Sequence, residues 1–477
     1  MKLSIAERVY PHLPVLLQNA ACWYEGHKEA RIRFGPEFHS KLEQLLTSEK
    51  WSASEIEAYQ NERLRDLVQQ AYDYVPFYRT RMQARKLTPA DIRTRQDLPK
   101  LPVLTREDVR QNSATLVSTA ARKADLILRH TSGTTGASLY FYSTRQSIAF
   151  QWAVWWRHRM RFGLTPSMWH VNFTGKLATP PGQAKPPYWR WNPAVHEVLI
   201  NMHHLNPAKI GAVVDFLNSR EFDFYSGYPS VVHAMAAAAL ECGLALRRRP
   251  KVVSTGAENM LDFQRRDIAE FTGATITDTY GCSEGCGNAS QCPSAVYHED
   301  SEFCILELAD PVRESGASRG ALLCTGFANS AFPMIRYEVG DIGVRSEQVK
   351  ACACGRQAPL LTGIIGRIDD YVITPEGTRI MRFDYVFKDT VNVREAQVVQ
   401  DRPGQLRIRI VRRPAYGSQD EAFIAGEIAR WISPRLALQF EYVNEIEREG
   451  NGKFRAVRSN LHATARNEQT ECATSGA

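Results

Sequence analysis

The sequence predicts an α/β chain in two parts: a large N-terminal unit with a parallel or mixed sheet and flanking helices, then a small, mobile α+β unit. Three observations predict it. Between residues 222 and 278 short β-rich runs alternate with helical runs, the pattern of βαβ units. Three loops rich in chemistry, Gly227-Tyr-Pro-Ser230, Gly256-Ala-Glu258 and Tyr280-Gly-Cys-Ser-Glu284, each follow a strand, where parallel sheets gather ligands. After Arg367 the texture changes to a period of two, with Leu406, Ile408 and Ile410 set against Arg407 and Arg409. The large unit is therefore expected over 1–366 and the small one over 367–477, with a hinge at Asp369 or Asp370.

Taken in order, residues 1–65 carry helical stripes such as Phe38, Leu42, Leu45 and Leu46. Pro76, inside Ala71-Tyr-Asp-Tyr-Val-Pro-Phe-Tyr78, should end the helix before it. Thr105 stands in an N-cap position ahead of Arg-Glu-Asp. Arg129 to Ser143 reads as strand, glycine-rich loop, strand. A helix from Thr144 should turn Ile148, Trp152 and Trp155 to one face. Strands follow at 222–225, 251–254 and 274–278, with helices at 230–241, stopped by Gly243, and 261–271. In the small unit, 396–399 and 405–411 should pair antiparallel, a helix should span about 421–432, and 438–443 should be a further strand. The last fifteen residues are polar and aperiodic, as frayed ends are.

Composition narrows the function classes. With 477 residues, 44% apolar and 23% charged, the chain can bury a large core and is not disordered, collagenous or a coiled coil. Fifty-nine basic against fifty-two acidic residues leave a mild +7. The signs are interleaved, so no nucleic-acid footprint stands out. No apolar run approaches the roughly 20 residues of a membrane span. Lys2, Glu7 and Arg8 precede any long apolar stretch, which does not fit a signal peptide. Ten cysteines in such a chain point to the reducing cytosol and to thiols as metal ligands. The expectation is a soluble cytoplasmic protein.

The strongest local signal is the loop of Thr131, Ser132, Gly133, Thr134, Thr135 and Gly136, whose backbone N–H groups and hydroxyls can wrap a polyphosphate. It is not a Walker loop, because no Gly-Lys-Ser/Thr follows and the next element reads as a strand. Glu284 makes sense near a triphosphate chiefly through Mg²⁺, which screens the repulsion. Asp341, at the end of Arg336-Tyr-Glu-Val-Gly-Asp341, suits two ribose hydroxyls. Arg367 stands at the junction of the two units, and Lys453 on the glycine-rich Gly450-Asn-Gly-Lys453.

These motifs, in this order, resemble the adenylate-forming superfamily of acyl-CoA synthetases, peptide-synthetase adenylation domains and luciferases. Ala71-Tyr-Asp-Tyr-Val-Pro-Phe-Tyr-Arg79, Leu98-Pro-Lys-Leu-Pro102, Pro333-Met-Ile-Arg-Tyr-Glu-Val-Gly-Asp341 and Gly366-Arg-Ile-Asp-Asp370 are more similar to the phenylacetate–CoA ligase branch. The opening from Leu13-Pro-Val-Leu-Leu-Gln18 looks like its subgroup associated with capsular polysaccharide. The resemblance covers roughly residues 10 to 460 and implies the adenylate-forming fold, with ATP, Mg²⁺ and a carboxylic acid as ligands.

By that resemblance the Thr131–Gly136 loop holds the β- and γ-phosphates. Gly256, Ala257 and Glu258 line the adenine side, Asp278 faces the adenine amino group, and Tyr280 stacks on the base. Glu284 binds Mg²⁺, Asp341 the ribose, Arg367 ribose and phosphate, and Lys453 bridges carboxylate and α-phosphate. The chain departs from wider relatives in having Ala137-Ser138 where Lys often follows the loop, and Cys282-Ser283 where Thr often precedes the acid.

Cys292, His298, Cys352 and Cys354 make a candidate Cys₃His structural zinc site, with Cys286 as the spare ligand. The one-residue spacing of Cys352 and Cys354 is a weak zinc signal by itself; a similar arrangement in the resembled branch strengthens it. Trp155, Trp156, Trp169, His170, Phe173, Trp189, Trp191 and Tyr228 form an aromatic-rich stretch that could line an acid pocket or fill a core. Trp169, His170, Tyr228 and Gly281 are the pocket candidates. His203-His204 lacks a third ligand and reads as solvent or core histidines.

The implied function is ATP-dependent activation of a carboxylic acid, an aromatic acid among the candidates, to an acyl-adenylate and pyrophosphate, then transfer to the thiol of coenzyme A. Two alternatives stand: transfer to an amine or a carrier protein, and a non-catalytic nucleotide-binding scaffold in polysaccharide assembly. No nucleic-acid partner is expected, and a homodimer is allowed for.

Overall fold

Helices fill the first hundred residues: α1 (Val15–Arg33), α2 (Pro36–Ser48) and α3 (Ala53–Tyr74). The computed structural model describes residues 9–131, 139–174, 178–180, 182–314, 316–346, 351–367, 372–375, 379–380, 386–387, 390, 392–448 and 454–461. A capping box at Ser52 and Glu55 opens α3. Val75 then turns extended and Pro76 opens α4 (Pro76–Ala84), since a proline cannot continue the helix before it but suits the first turn of the next. Thr105 caps α5 (Arg106–Gln111) reciprocally with Asp108.

Strands β1 (Ile127–His130) and β2 (Tyr140–Ser143) pair antiparallel on either side of the glycine-rich loop. The next helix, α6 (Arg145–Met160), starts after Thr144 and keeps Ile148, Trp152 and Trp155 at helical spacing on one face, and it buries residues well beyond that face. Ile148, Trp152 and Trp155 are only half-buried, while Ala149, Phe150, Ala153, Val154, Trp156, Arg157 and His158 are buried. A helix enclosed on nearly every side carries no readable stripe. Its buried cation is paired: Arg157 reaches Asp300 at 2.7 Å and Glu302 at 2.6 Å.

The chain continues through β3 (His170–Thr174), β4 (Trp189–Asn192), β5 (Glu197–Asn201), α7 (Ile210–Ser219), β6 (Phe224–Gly227), α8 (Pro229–Glu241), β7 (Val252–Gly256), α9 (Asp262–Thr272) and β8 (Thr275–Gly281). Then come β9 (Asn288–Gln291), β10 (Tyr297–Glu299), β11 (Cys304–Glu314), β12 (Ala317–Gly326), β13 (Tyr337–Ser346), β14 (Leu360–Leu361) and β15 (Gly363–Arg367). Nine strands form one sheet in the order β14-β10-β9-β8-β7-β6-β3-β5-β4. The five from β5 to β8 are parallel and both flanks are antiparallel. The expected βαβ units thus form its middle. Val171, Val198, Ile200, Tyr225 and Val253 pack there with Val213 and Leu217 of α7 and with Val232 and Met235 of α8. A second sheet, β11-β12-β13-β15, is antiparallel and sets Asp341 opposite Arg367 in register.

Beyond β15 lie β16 (Val372–Ile373), β17 (Arg379–Ile380), β18 (Val393–Arg402), β19 (Gln405–Arg412), α10 (Ser418–Trp431), β20 (Ala437–Tyr442) and β21 (Val457–Ser459). Strands β18 and β19 pair antiparallel as expected. Strand β20 runs parallel to β19, because α10 carries the chain back between them as a crossover. Val398, Leu406, Ile408, Ile410, Ile424 and Ile428 form a core of their own. No described helix is long and apolar enough to cross a membrane.

Candidate functional site

The predicted site residues gather where the parallel strands end. After β7, Ala257 holds a left-handed backbone (φ +68°), unusual for a residue with a Cβ. A Cβ on Gly256 would lie 2.9 Å from the Thr279 carbonyl, so the backbone approach there requires glycine. The Glu258 carboxylate accepts the Ser230 N–H at the start of α8 (3.0 Å) and the Phe454 N–H of the C-terminal unit (2.7 Å). Burial raises its pKa.

At the end of β8, Tyr280 donates its hydroxyl to Asp341 Oδ2 at 2.7 Å, which joins the expected base-stacking ring to the expected ribose acid. Glu284 lies just beyond, and the buried Tyr337 hydroxyl donates to its Oε1 at 2.9 Å. Burial, then the Glu284 charge, pushes the Tyr337 phenol upward, so it stays a neutral donor. Asp278 sits deeper: its two oxygens accept from Thr255 Oγ1 (2.6 Å) and Tyr297 Oη (2.5 Å), and burial raises its pKa.

Two cations not singled out in the sequence border this group. Arg106 Nη2 donates to Thr131 Oγ1 at 2.8 Å, and its buried Nε finds no acceptor among the described residues. Arg129 on β1 is held below the usual guanidinium range by burial and by Arg33, while the Glu284 charge opposes the shift. The missing lysine at Ala137-Ser138 was the signal that another cation should stand near the loop. Ser132, Gly133, Thr134, Thr135, Gly136, Asp369, Asp370, Lys453 and the Arg367 side chain lie outside the described residues.

On the far side of β9 and β10 the thiol expectations converge. One ligand atom from each of Cys292, His298, Cys352 and Cys354 lies within 4.8 Å of all the others. Cys292 Sγ is 3.5 Å from Cys352 Sγ, and Cys354 Sγ is 3.3 Å from His298 Nε2. A tetrahedral zinc with S ligands at about 2.3 Å and N at about 2.0 Å needs separations of about 3.8 Å between sulfurs and about 3.5 Å between sulfur and nitrogen, so this donor set suits the ion. Burial lowers the His298 pKa to about 4, keeping the imidazole neutral as a ligand must be. Cys286 is instead 3.5 Å from Cys282 Sγ.

The chain is 23% identical over 475 residues to Protein CapK of Staphylococcus aureus, covering 95% of this chain and 99% of that protein. The family described as the CapK C-terminal domain matches residues 372–460. The chain is also 26% identical over 339 residues to a phenylacetate-coenzyme A ligase of Thermus thermophilus, covering 67% of this chain and 72% of the ligase. The chain is a homologue of CapK and of the phenylacetate-coenzyme A ligases. The fold of this CapK homologue is that of adenylate-forming CoA ligases. A 2-hydroxyisobutyryl-CoA ligase in the postadenylation state superposes with a TM-score of 0.68 at 20% identity, covering 89% of this chain and 94% of that one. The same ligase in the thioesterification state gives 0.52.

The acid-pocket expectations of the CapK homologue divide. Tyr228 follows β6 and Gly281 ends β8, both at the ligand edge. A Cβ on Gly281 would lie 2.8 Å from Asn288 Oδ1, which also accepts from Trp155 Nε1 at 2.9 Å, so Trp155 flanks this edge. Trp169 immediately precedes β3 and His170 begins it, at the amino end of that strand. Trp169 packs edge-on to Trp191, His170 stacks on Phe224, and burial lowers the His170 pKa to about 4. His170 is buried and Trp169 half-buried; His204 is buried and stacked on Tyr188.

Proposed function

We propose that the protein activates a carboxylic acid with ATP to an acyl-adenylate and then transfers the acyl group to a thiol, that of coenzyme A. The observation that carries this is the linked set Tyr280–Asp341 and Tyr337–Glu284 at one sheet edge, with Arg106 on Thr131 beside it. A carboxylate oxygen of the acid attacks the α-phosphorus, the bond to the β-phosphate breaks, and pyrophosphate leaves. Two anions meet in that step, so cations and donors must offset the charge. Tyr280 and the Gly256–Ala257 turn bracket the base, Asp341 takes the ribose, and Asp278 lies behind them with its orientation fixed. Glu284 is a hard oxygen ligand suited to Mg²⁺, which supplies charge screening on the phosphates when bound. The Thr131–Gly136 loop with Arg106 and Arg129 holds the outgoing phosphates, and Lys453 and Arg367 serve the α-phosphate.

The acid contacts are Tyr228, Gly281 and the neighbouring Trp155. The small unit, from 367 onward, rearranges after adenylation, because a lysine against the phosphate would obstruct the thiol. The two reported states of the 2-hydroxyisobutyryl-CoA ligase support such a rearrangement. The Cys₃His cluster binds structural zinc and pins the β9–β10 turn to the segment before β14.

A second reading has an amine or carrier-protein thiol as acceptor. Lys453→Ala tests the assignment. It should lose ~10²–10³-fold in acyl-adenylate formation, the scale for removing one charge-stabilising group, and keep near-normal transfer from supplied acyl-AMP. Equal damage to both steps would refute it.

A further inference from the structure

Among the described residues, three contacts between the C-terminal unit and the large one each draw an acid from the large unit. Arg394 on β18 meets Glu241 at the end of α8 at 3.4 Å, with both side chains largely buried (16% and 14% exposed). Arg413, just past β19, forms an ion pair with Asp267 of α9, whose carboxylate is also 2.9 Å from His233 Nε2. The backbone N–H of Phe454 reaches Glu258 Oε1 at 2.7 Å while Glu258 Oε2 is held by the Ser230 N–H. Glu258 thus ties the start of α8 to the residue that follows Lys453 in the chain.

We propose that Glu241, Glu258 and Asp267 are positioning residues, a three-point acidic docking face that seats the C-terminal unit for adenylation and releases it for acyl transfer. The three acids come from α8, the loop after β7 and α9, so they fix position and rotation together. Two points would leave a hinge. None of the three needs to touch the reacting atoms; they act through the segment at Phe454. A carboxylate suits Glu258 because it accepts one N–H on each oxygen, whereas an amide offers only one acceptor oxygen.

This rests on the adenylation reading, and the test separates the two. Wild-type protein is assayed first for acid-dependent pyrophosphate release and for transfer from supplied acyl-AMP; silence in both refutes the reading itself. Glu241→Arg should then slow pyrophosphate release by about tenfold or more, because it sets like charges against each other at a contact. Transfer from acyl-AMP should be unchanged or faster. Combining it with Arg394→Glu should restore release to within about threefold, since the pair is rebuilt with its signs exchanged. Hydrogen exchange around Asp267 and Arg394, which needs no substrate, should rise in Glu241→Arg and fall back in the double variant. Equal loss in both half-reactions, or a double variant no better than the single one, would overturn the docking face even with a fully active wild type.

Discussion

Replacing Tyr337 by Phe removes one hydroxyl and leaves the ring in place. That hydroxyl donates to Glu284 Oε1 at 2.9 Å, and both side chains are nearly closed to water (0% and 7% exposed). A hydrogen bond to a charged group contributes about 1.5–3 kcal/mol, and a buried setting places this one toward the upper part of that range. At about 1.4 kcal/mol per decade, the loss corresponds to roughly 30–150-fold in use of Mg²⁺-ATP. Pyrophosphate release measured across a Mg²⁺ titration should show that fall, with saturation displaced to higher Mg²⁺. Glu284→Gln, which removes the charge, should fall further. Transfer from supplied acyl-AMP should be spared in Tyr337→Phe, because the phosphates have left by then. A Mg²⁺ dependence identical to wild type would refute the idea that Tyr337 orients a metal-binding carboxylate.

Arg106→Ala should raise the KM for pyrophosphate at least tenfold in the reverse reaction from acyl-AMP to ATP, with Arg106→Lys intermediate, on the scale of one lost charge-assisted contact; an unchanged KM would exclude Arg106 from the phosphate site. Protein washed with a weak chelator should retain about one zinc per chain and Cys352→Ser should lose it; no zinc in the wild type, with a fully stable variant, would sink the metal site. Stability should decline as pH drops from about 6.5 toward 4, because burial lowers the His158 pKa to about 3 and the His170 pKa to about 4. The unfolded chain then binds protons that the folded chain refuses, at up to roughly 1.4 kcal/mol per pH unit for each group. Urea titrations at pH 7 and 5 measure this, and His158→Asn should flatten the slope.

Much of the fold was legible because local rules and tertiary packing agree in it. Pro76 and Thr105 act through their own backbone chemistry, and Gly243 and Gly273 end helices in left-handed conformations. The loops after β6, β7 and β8 were readable because parallel strands announce which end holds a ligand. The failures have a common cause in long-range packing. α6 shows no single stripe because it is enclosed and its Arg157 is neutralised by Asp300 and Glu302, far along the chain. The position of Trp169 and His170 at the amino end of β3 was not legible, because composition cannot tell one end of a strand from the other. Arg106 and Tyr337 were missed because each acts through a partner distant in sequence, Thr131 and Glu284. Their motifs were visible; the contacts were not.

Acid-dependent exchange of labelled pyrophosphate into ATP, run over a panel of aromatic and aliphatic carboxylic acids, tests the central claim most directly. The account predicts Mg²⁺-dependent exchange with at least one acid, abolished in Glu284→Gln and independent of any thiol. Protein that binds ATP yet gives no exchange with any acid would contradict it and favour a nucleotide-binding scaffold.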